Sequence, residues 1–202
     1  AIALSNDAVK LAVSMININE GSVKSTIAFY NYGTVGQNEI DHCVGVNNYD
    51  DMVIPEMEFT SNDRMVAFGD KKAVIFEGAQ KPQAIAEIAM DENTKSIFYN
   101  ERYIGIVTGN EDEAVTNHLV VYDENGKLVM EKDFGLDYSS IEFLSNNEIC
   151  IRNANACDIY TVHGVYKFHH EFEEELFEII PGKLKLNYTL VLKDTTQRIR
   201  LK

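Results

Sequence analysis

Three stretches of the chain share one phrase: ALSND at residues 3–7, FTSND at residues 59–63 and FLSNN at residues 143–147. Each begins with an apolar residue, continues through a short polar turn and leads into a new apolar run. The runs are Leu11-Ala12-Val13, Met65-Val66-Ala67-Phe68 and Ile149-Cys150-Ile151. A phrase repeated in this order predicts one small structural unit used several times.

Short apolar or alternating runs of four to seven residues fill most of the chain, and Asn, Asp, Gly and Ser separate them. That pattern is typical of many β-strands. One strand of each unit can be aligned at five positions, with steps of 47, 46, 38 and 40 residues, which suit a four-stranded propeller blade. The positions are Ala28, Ile75, Val121, Ile159 and Ile199.

Glycine-containing turns follow four of these five strands. Asn125-Gly126 and His163-Gly164 suit two-residue hairpin turns with positive φ, and Gly33, Gly36 and Gly78 follow the other two strands. The sequence therefore predicts an all-β, propeller-like array of four-stranded antiparallel blades within one domain, residues 1–202. The predicted blades are residues 1–52, 53–93, 94–137, 138–174 and a partial 175–202.

The last blade has only three predicted strands. A propeller completes its last blade with a strand from the other end of the chain, but residue 1 already begins a first strand. We therefore expect this chain to be the C-terminal portion of a longer propeller, with a small closed ring whose last blade has three strands as the alternative. Residues 168–177 also fit helical spacing, although the blade order favours strand, turn, strand there.

The formal charge of −14, from 32 acidic and 18 basic residues, argues against nucleic acid or anionic lipid as a partner. Residues 198–202, RIRLK, form the one locally basic end, and their alternation predicts an edge strand with outward charges. No apolar run reaches the ~18 residues of a membrane span, so we expect no direct membrane binding by this segment.

Five phrases occur in a characteristic order: KLAVSM (10–15), STIAFYNYGTVGQNEID (25–41), VAFGD (66–70), VIFEGAQKP (74–82) and YIGIVTG (103–109). In these phrases the chain resembles an uncharacterised domain-of-unknown-function family of Gram-positive bacteria, whose members resemble WD-repeat-like β-propellers. The resemblance implies an extracytoplasmic protein tethered to the cell membrane by an upstream segment with one span. It supplies no functional residues.

Catalytic motifs are missing from the sequence: there is no GxSxG, HExxH, GxxxxGK[ST] or GxGxxG. The glycine pair Gly33-Thr34-Val35-Gly36 is interpreted as a turn. Three cysteines occur, and a two-residue turn at Asn153-Ala154 would place Cys150 opposite Cys157, where they form either a cross-strand disulfide or two small packing residues.

Metal-binding candidates are weak. On a strand, His169, Glu171 and Glu173 would share one face, but a metal site would need a further ligand from elsewhere, and a solvated polar face is the favoured interpretation. The acidic turns at residues 47–51, 111–113 and 123–126 lack the spacing of a calcium loop. We therefore predict no catalytic, cofactor-binding or metal-binding residue and no cofactor.

Six tyrosines lie at predicted strand ends or turns, where an exposed aromatic face would bind a glycan or peptide, although core packing is the simpler interpretation. They are Tyr30, Tyr32, Tyr49, Tyr99, Tyr103 and Tyr138. The favoured function is a non-catalytic binding or scaffold module of the bacterial cell envelope with a protein or cell-wall glycan partner. The alternatives are a hydrolase or lyase with an acidic channel site, and an architectural role in an envelope assembly.

Overall fold

The computed structural model describes residues 1–31, 43–79, 81–90, 92–109 and 117–200, and of Asn19 and Asn31 only the backbone. Every helix or strand assigned to these residues is a β-strand. The first ten strands are β1 (Ile2–Leu4), β2 (Lys10–Asn19), β3 (Ser22–Asn31), β4 (Cys43–Asp50), β5 (Glu56–Ser61), β6 (Arg64–Phe68), β7 (Lys72–Glu77), β8 (Gln83–Ala89), β9 (Thr94–Tyr99) and β10 (Tyr103–Gly109). The other nine are β11 (Asn117–Asp123), β12 (Leu128–Phe134), β13 (Ser140–Phe143), β14 (Ile149–Arg152), β15 (Ala156–Tyr160), β16 (Tyr166–Glu171), β17 (Leu176–Pro181), β18 (Asn187–Leu192) and β19 (Thr196–Arg200).

These strands form five antiparallel sheets in which each strand pairs with its neighbours in the chain. Four sheets have four strands, β1–β4, β5–β8, β9–β12 and β13–β16, and the fifth has three, β17–β19. The predicted fold class, an all-β array of four full propeller-like blades and a partial one, is confirmed. The helical alternative for residues 168–177 is wrong, because β16 ends at Glu171 and β17 begins at Leu176.

A β-bulge recurs at the same place in all four complete sheets, between the third and fourth strands. The register shifts directly after Phe29, Ile75, Val121 and Ile159. The bulge thus aligns Phe29 with the other three residues, one position later than the Ala28 of the sequence alignment. Since a bulge adds one residue to one strand and increases the local twist, its repetition gives the four sheets the same bend.

The three repeated phrases each connect the first and second strands of a sheet. In the second sheet Ser61 pairs with Arg64, so Asn62 and Asp63 form a two-residue turn. The other two turns are wider, and each contains a non-glycine residue with positive φ: Ala8 at 57° and Asn147 at 61°. Gly126 and Gly164 have the predicted positive φ, at 75° and 78°, in the hairpins between third and fourth strands. The predicted two-residue turn length is wrong, because Tyr122 pairs with Leu128 and Tyr160 with Tyr166. Gly33 and Gly36 lie outside the described residues.

The contacts divide the chain into two compact units, residues 1–92 with 124–127, and residues 93–123 with 128–202. In the first unit the first sheet packs face to face on the second. The Phe29 and Phe76 rings are central to this core, with centroids 5.2 Å apart. The prediction of a single domain, and that of a longer propeller, stay predictions.

The second unit has two such cores. The third sheet packs on the fourth through residues such as Val121 and Ile149, and the fourth packs on the fifth through residues such as Ile159 and Leu190. All four of these side chains are completely buried. In both units, therefore, the fold is held by apolar sheet faces that cover one another.

Truncating Phe76 should destabilise the protein strongly. The ring is completely buried against Phe29, so we expect Phe76→Ala to lower the free energy of unfolding by about 3–5 kcal/mol. Phe177→Ala is the matched control, since that ring is 49% exposed. Urea unfolding measures both, and similar losses for the two variants would contradict this packing.

Candidate functional site

One apolar sheet face has no cover in the described part of the structure. The pairing of β1, β2, β3 and β4 places Ile2, Val13, Ala28 and Val46 in one row across the first sheet. Because side chains alternate along a strand, this row points away from the core formed with the second sheet. We call this surface the outer face, and its large apolar residues are Ile2, Leu4, Leu11, Val13, Met15 and Val46.

Four large apolar side chains of the outer face are about half exposed or more. Ile2 is 73% exposed, Val46 53%, Leu4 52% and Met15 49%. Further along the same face the side chains are polar, and Lys24 forms an ion pair with Asp50 there at 3.3 Å. An apolar centre beside a polar rim is the usual anatomy of a protein–protein contact.

The corresponding faces of other sheets are buried. In the second sheet, Val74 is equivalent to Ala28 of the first sheet, because each lies one residue before the bulged position. Val74 is completely buried against the first sheet. Ile149 and Ile151 of the fourth sheet are likewise completely buried in the core formed with the third. The outer face is apolar like these covered faces. A second apolar sheet face is therefore the kind of surface that would pack on it.

A small cavity of about 400 Å³ lies in the second unit, between the turn that joins β9 to β10 and the turn that joins β13 to β14. Asn100 donates to Asn147 Oδ1 at 3.0 Å, and Asn100 Oδ1 accepts the backbone amides of Arg102 and Tyr103. The side-chain amides of Asn100 and Asn147 therefore hold the two turns together. The charged groups that line the cavity are the exposed side chains of Glu101 and Arg102.

Two histidines form carboxylate pairs that the sequence analysis missed. His118 Nδ1 lies 2.7 Å from Asp133 Oδ1 and its Nε2 lies 3.0 Å from Glu131 Oε1. The hydrogen bond to Asp133 is the main reason why the pKa of His118 is raised above 6.5, against the opposing effect of burial. The pairing of β11 with β12 places His118 opposite Asp133, so this contact could be found only from the strand register.

The second pair lies in the fourth sheet. His169 Nδ1 is 2.7 Å from Asp158 Oδ1, and its Nε2 is 3.9 Å from Glu171. Glu173 follows the end of β16 in a bend, which separates it from the strand that carries His169 and Glu171. Within the described ranges, no group of three or more His, Cys, Asp and Glu side chains has an arrangement that could hold a metal ion.

A polar cluster is enclosed between the fourth and fifth sheets. Lys167 forms an ion pair with Glu148, and its Nζ lies 3.1 Å from the Tyr188 hydroxyl. That hydroxyl donates to Glu148 Oε2 at 2.6 Å. Each group is satisfied by the other two, so the cluster ties the two sheets together at a place where unpaired charges would be costly.

The cysteines are not arranged as predicted. Cys150 pairs with Ile159 and Arg152 pairs with Cys157, so the two cysteines are not opposite each other, and both are free thiols. The reason is the turn: Asn153 N donates to the carbonyl of Ala156, which moves the register away from a two-residue turn at Asn153-Ala154. Burial raises the pKa of both thiols, that of Cys157 to about 12.

The tyrosines do not form a common exposed face among the described residues. Tyr49 packs against the core of the first unit, and burial raises its pKa to about 12. Tyr103 and Tyr138 pack against the core of the second unit, where the Tyr138 hydroxyl lies 2.8 Å from Ser96 Oγ. Tyr30 and Tyr99 are half-buried, and Tyr32 lies outside the described residues.

The predicted acidic turns have structural partners where they are described. Glu124 forms an ion pair with Arg64 at 3.3 Å within the first unit, and Asp50 pairs with Lys24. Residues 111–113 and His42 lie outside the described residues. The basic end forms the edge strand β19 as far as Arg200. The described chain contains no helix that could cross a bilayer.

Comparison with protein families gives a match over residues 1–201. The chain belongs to the family of unknown function DUF5711. Among curated proteins none matches it. The function of a DUF5711 chain therefore has to be argued from its structure.

Solved structures share its fold at low identity. The chain matches K. marxianus Hsv2 with a TM-score of 0.53 and 9% identity, over 98% of this chain and 71% of that one. It matches a eukaryotic initiation factor with a TM-score of 0.50 and 14% identity, over 88% of this chain and 52% of that one. It matches the Neurospora crassa Pan2 WD40 domain with a TM-score of 0.49 and 7% identity, over 98% of this chain and 60% of that one. The chain thus spans about half the length of some of these proteins.

The titration of His118 tests its contacts with Asp133 and Glu131. Because Asp133 and Glu131 favour the charged form of His118, they stabilise the fold fully below the unfolded pKa of about 6.5, and this contribution is lost as pH rises through the raised folded pKa of His118. We expect Asp133→Asn to lower the His118 midpoint measured by NMR, and to destabilise the protein more at pH 6 than at pH 9. Asp137→Asn is the control, and an unchanged midpoint in Asp133→Asn would refute the assignment.

Thiol reactivity tests the cysteine arrangement. Cys43 is exposed while Cys150 and Cys157 are buried with raised pKa values, so at pH 7.5 one thiol per chain should react with iodoacetamide within minutes. After unfolding in urea without reductant, all three should react. Mass spectrometry counts the adducts, and only one reactive thiol after unfolding would show that the two buried cysteines are bridged.

Proposed function

We propose that this DUF5711 chain is a non-catalytic binding or scaffold module of the bacterial cell envelope, and that its outer face binds a protein partner. The observation that carries the proposal is the contrast between the outer face, with four large apolar residues about half exposed or more, and the buried corresponding faces of other sheets. A partner with an apolar β-sheet face fits this surface, because each core of the two units joins two such faces.

The area rule for apolar burial supports a cover on the outer face rather than permanent exposure, and cross-linking distinguishes a partner from an upstream blade of the same polypeptide. Covering apolar surface is favourable by roughly 25 cal/mol per Å², and contiguous apolar patches on soluble proteins are commonly interaction sites. The family resemblance, with its upstream membrane span, supports an extracytoplasmic location. The hydrolase or lyase alternative needs an acidic site, and the acids described here are engaged in ion pairs or dispersed over turns.

The test is site-specific photo-cross-linking in the native cell with the full-length protein. A benzophenone amino acid in place of Leu4 should give one discrete adduct with a second protein, and the same residue in place of Lys81, which is exposed elsewhere in the first unit, should not. Adding Met15→Lys and Val46→Lys should remove the adduct, because two charges would be buried in the contact.

Binding of the purified partner then gives the magnitude. We expect the double lysine variant to raise the dissociation constant at least about tenfold, whereas Val165→Lys, a change at a residue 61% exposed in the fourth sheet's turn, should not alter it. Circular dichroism confirms that the variants fold. If the adduct joined Leu4 only to the same polypeptide, or survived the double lysine change, the outer face would not be a partner site.

A further inference from the structure

The cavity between the β9–β10 turn and the β13–β14 turn lies wholly within the second unit. Its volume of about 400 Å³ is in the range of small-molecule sites. Leu144, which is buried, and Phe143, which is half-buried, form the apolar part of its lining. The rest of the lining is polar or charged, so the cavity has the two kinds of surface that a polar organic ligand with a small apolar part requires.

The two turns are held in place by their own hydrogen bonds. Asn100 donates to Asn147 Oδ1 at 3.0 Å, and Asn100 Oδ1 accepts two backbone amides of its own turn. Asn147 N donates to the carbonyl of Leu144 at 2.8 Å. The Phe143 ring also packs against Phe98, with centroids 4.6 Å apart. A ligand would therefore enter a site that is already formed, which lowers the entropic cost of binding.

Four polar groups of the lining have no hydrogen-bond partner within the described ranges. They are the Ser145 hydroxyl, the Asn147 amide nitrogen, the Glu101 carboxylate and the Arg102 guanidinium. The amide nitrogen is available because Asn147 uses its carbonyl oxygen to accept from Asn100. The first three types of donor and acceptor, together with the guanidinium, offer a ligand both hydrogen-bond donors and hydrogen-bond acceptors.

Glu101 and Arg102 determine which ligand charge the cavity favours. They are neighbours in the chain, so the lining carries one negative and one positive group. An anion would be repelled by Glu101 and by a chain of formal charge −14, and a cation would be repelled by Arg102. Hydroxyl groups both donate and accept, so a neutral ligand rich in hydroxyls can use both side chains. This is the chemistry of a saccharide.

We propose that this cavity binds a short neutral saccharide that carries acetamido groups. Its hydroxyls hydrogen-bond to Glu101 and Arg102. An acetamido group has one donor, one acceptor and a methyl group, so it pairs with Asn147 and Ser145 and places the methyl group against Leu144. The inference rests on the proposed function as a binding module and adds a ligand class at a second surface.

The probe is N,N′-diacetylchitobiose, titrated into the purified full-length protein and followed by calorimetry. We expect saturable binding that weakens about tenfold in Glu101→Ala/Arg102→Ala, because each lost group makes a charge-assisted hydrogen bond. Both side chains are exposed in a turn, and circular dichroism checks that the variant folds. Cellobiose has the same linkage between its two rings but no acetamido group, and should bind more weakly.

Controls separate the cavity from general charge effects. Glu58→Ala/Lys71→Ala removes the same two kinds of charge at exposed positions of the first unit and should leave the affinity unchanged. Amide shifts in NMR should concentrate at residues 100–103 and 143–147. Absence of saturable binding, equal affinity for cellobiose, or unchanged affinity in Glu101→Ala/Arg102→Ala would overturn the proposal. Competition by acetate would show an anion site at Arg102 and would overturn it too.

The saccharide test and the cross-linking test can fail separately. Met15→Lys/Val46→Lys should not alter saccharide binding, and Glu101→Ala/Arg102→Ala should not remove the Leu4 adduct. If the saccharide does not bind while the Leu4 adduct forms, this inference fails and the proposed function stands. If the saccharide binds while Leu4 gives no adduct with a second protein, the outer face is not a partner site and the saccharide site stands.

Discussion

Mutual burial of apolar sheet faces is the constraint on which this structure depends. A three- or four-stranded sheet has two faces, and a face rich in Val, Ile, Phe and Met is stable in water only when another face covers it. Phe29 against Phe76 in the first unit, and Ile159 beside Leu190 in the second, are instances of this cover. The outer face follows from the same constraint, because it has the composition of a covered face without a described cover.

Polar interactions have a different role in this molecule: they fix which strand or sheet meets which. Lys167, Glu148 and Tyr188 satisfy one another between the fourth and fifth sheets. Arg64 reaches both Glu77 on the neighbouring strand and Glu124 in a distant turn. Partly buried ion pairs contribute little net stability, but a misaligned strand would leave one of these charges without its partner.

Much of the fold could be predicted because strand alternation and turn chemistry are local properties. The strands, the hairpins at Gly126 and Gly164 and the three-stranded last sheet were all predictable in this way. Local reasoning was wrong at Ala28, where a bulge adds a residue, and at Cys150 and Cys157, where the turn lies one residue later than predicted and changes the register. The His118 site was missed because Asp133 approaches it only through hairpin pairing, a signal that a search for opposite charges across predicted hairpins would have found.

The amino-acid sequence by itself determined the all-β class, the repetition of a four-stranded unit and the three strands of the fifth sheet, since each follows from strand alternation and turn residues. Tertiary structure alone decided which side of each sheet is buried. Alternation defines two faces but does not say which of them meets a neighbour, and the tyrosines show the consequence: their positions were consistent with a binding face, yet Tyr49 and Tyr103 pack against cores. The exposure of Ile2, Met15 and Val46 depends in the same way on what lies opposite them in space, which no local pattern records.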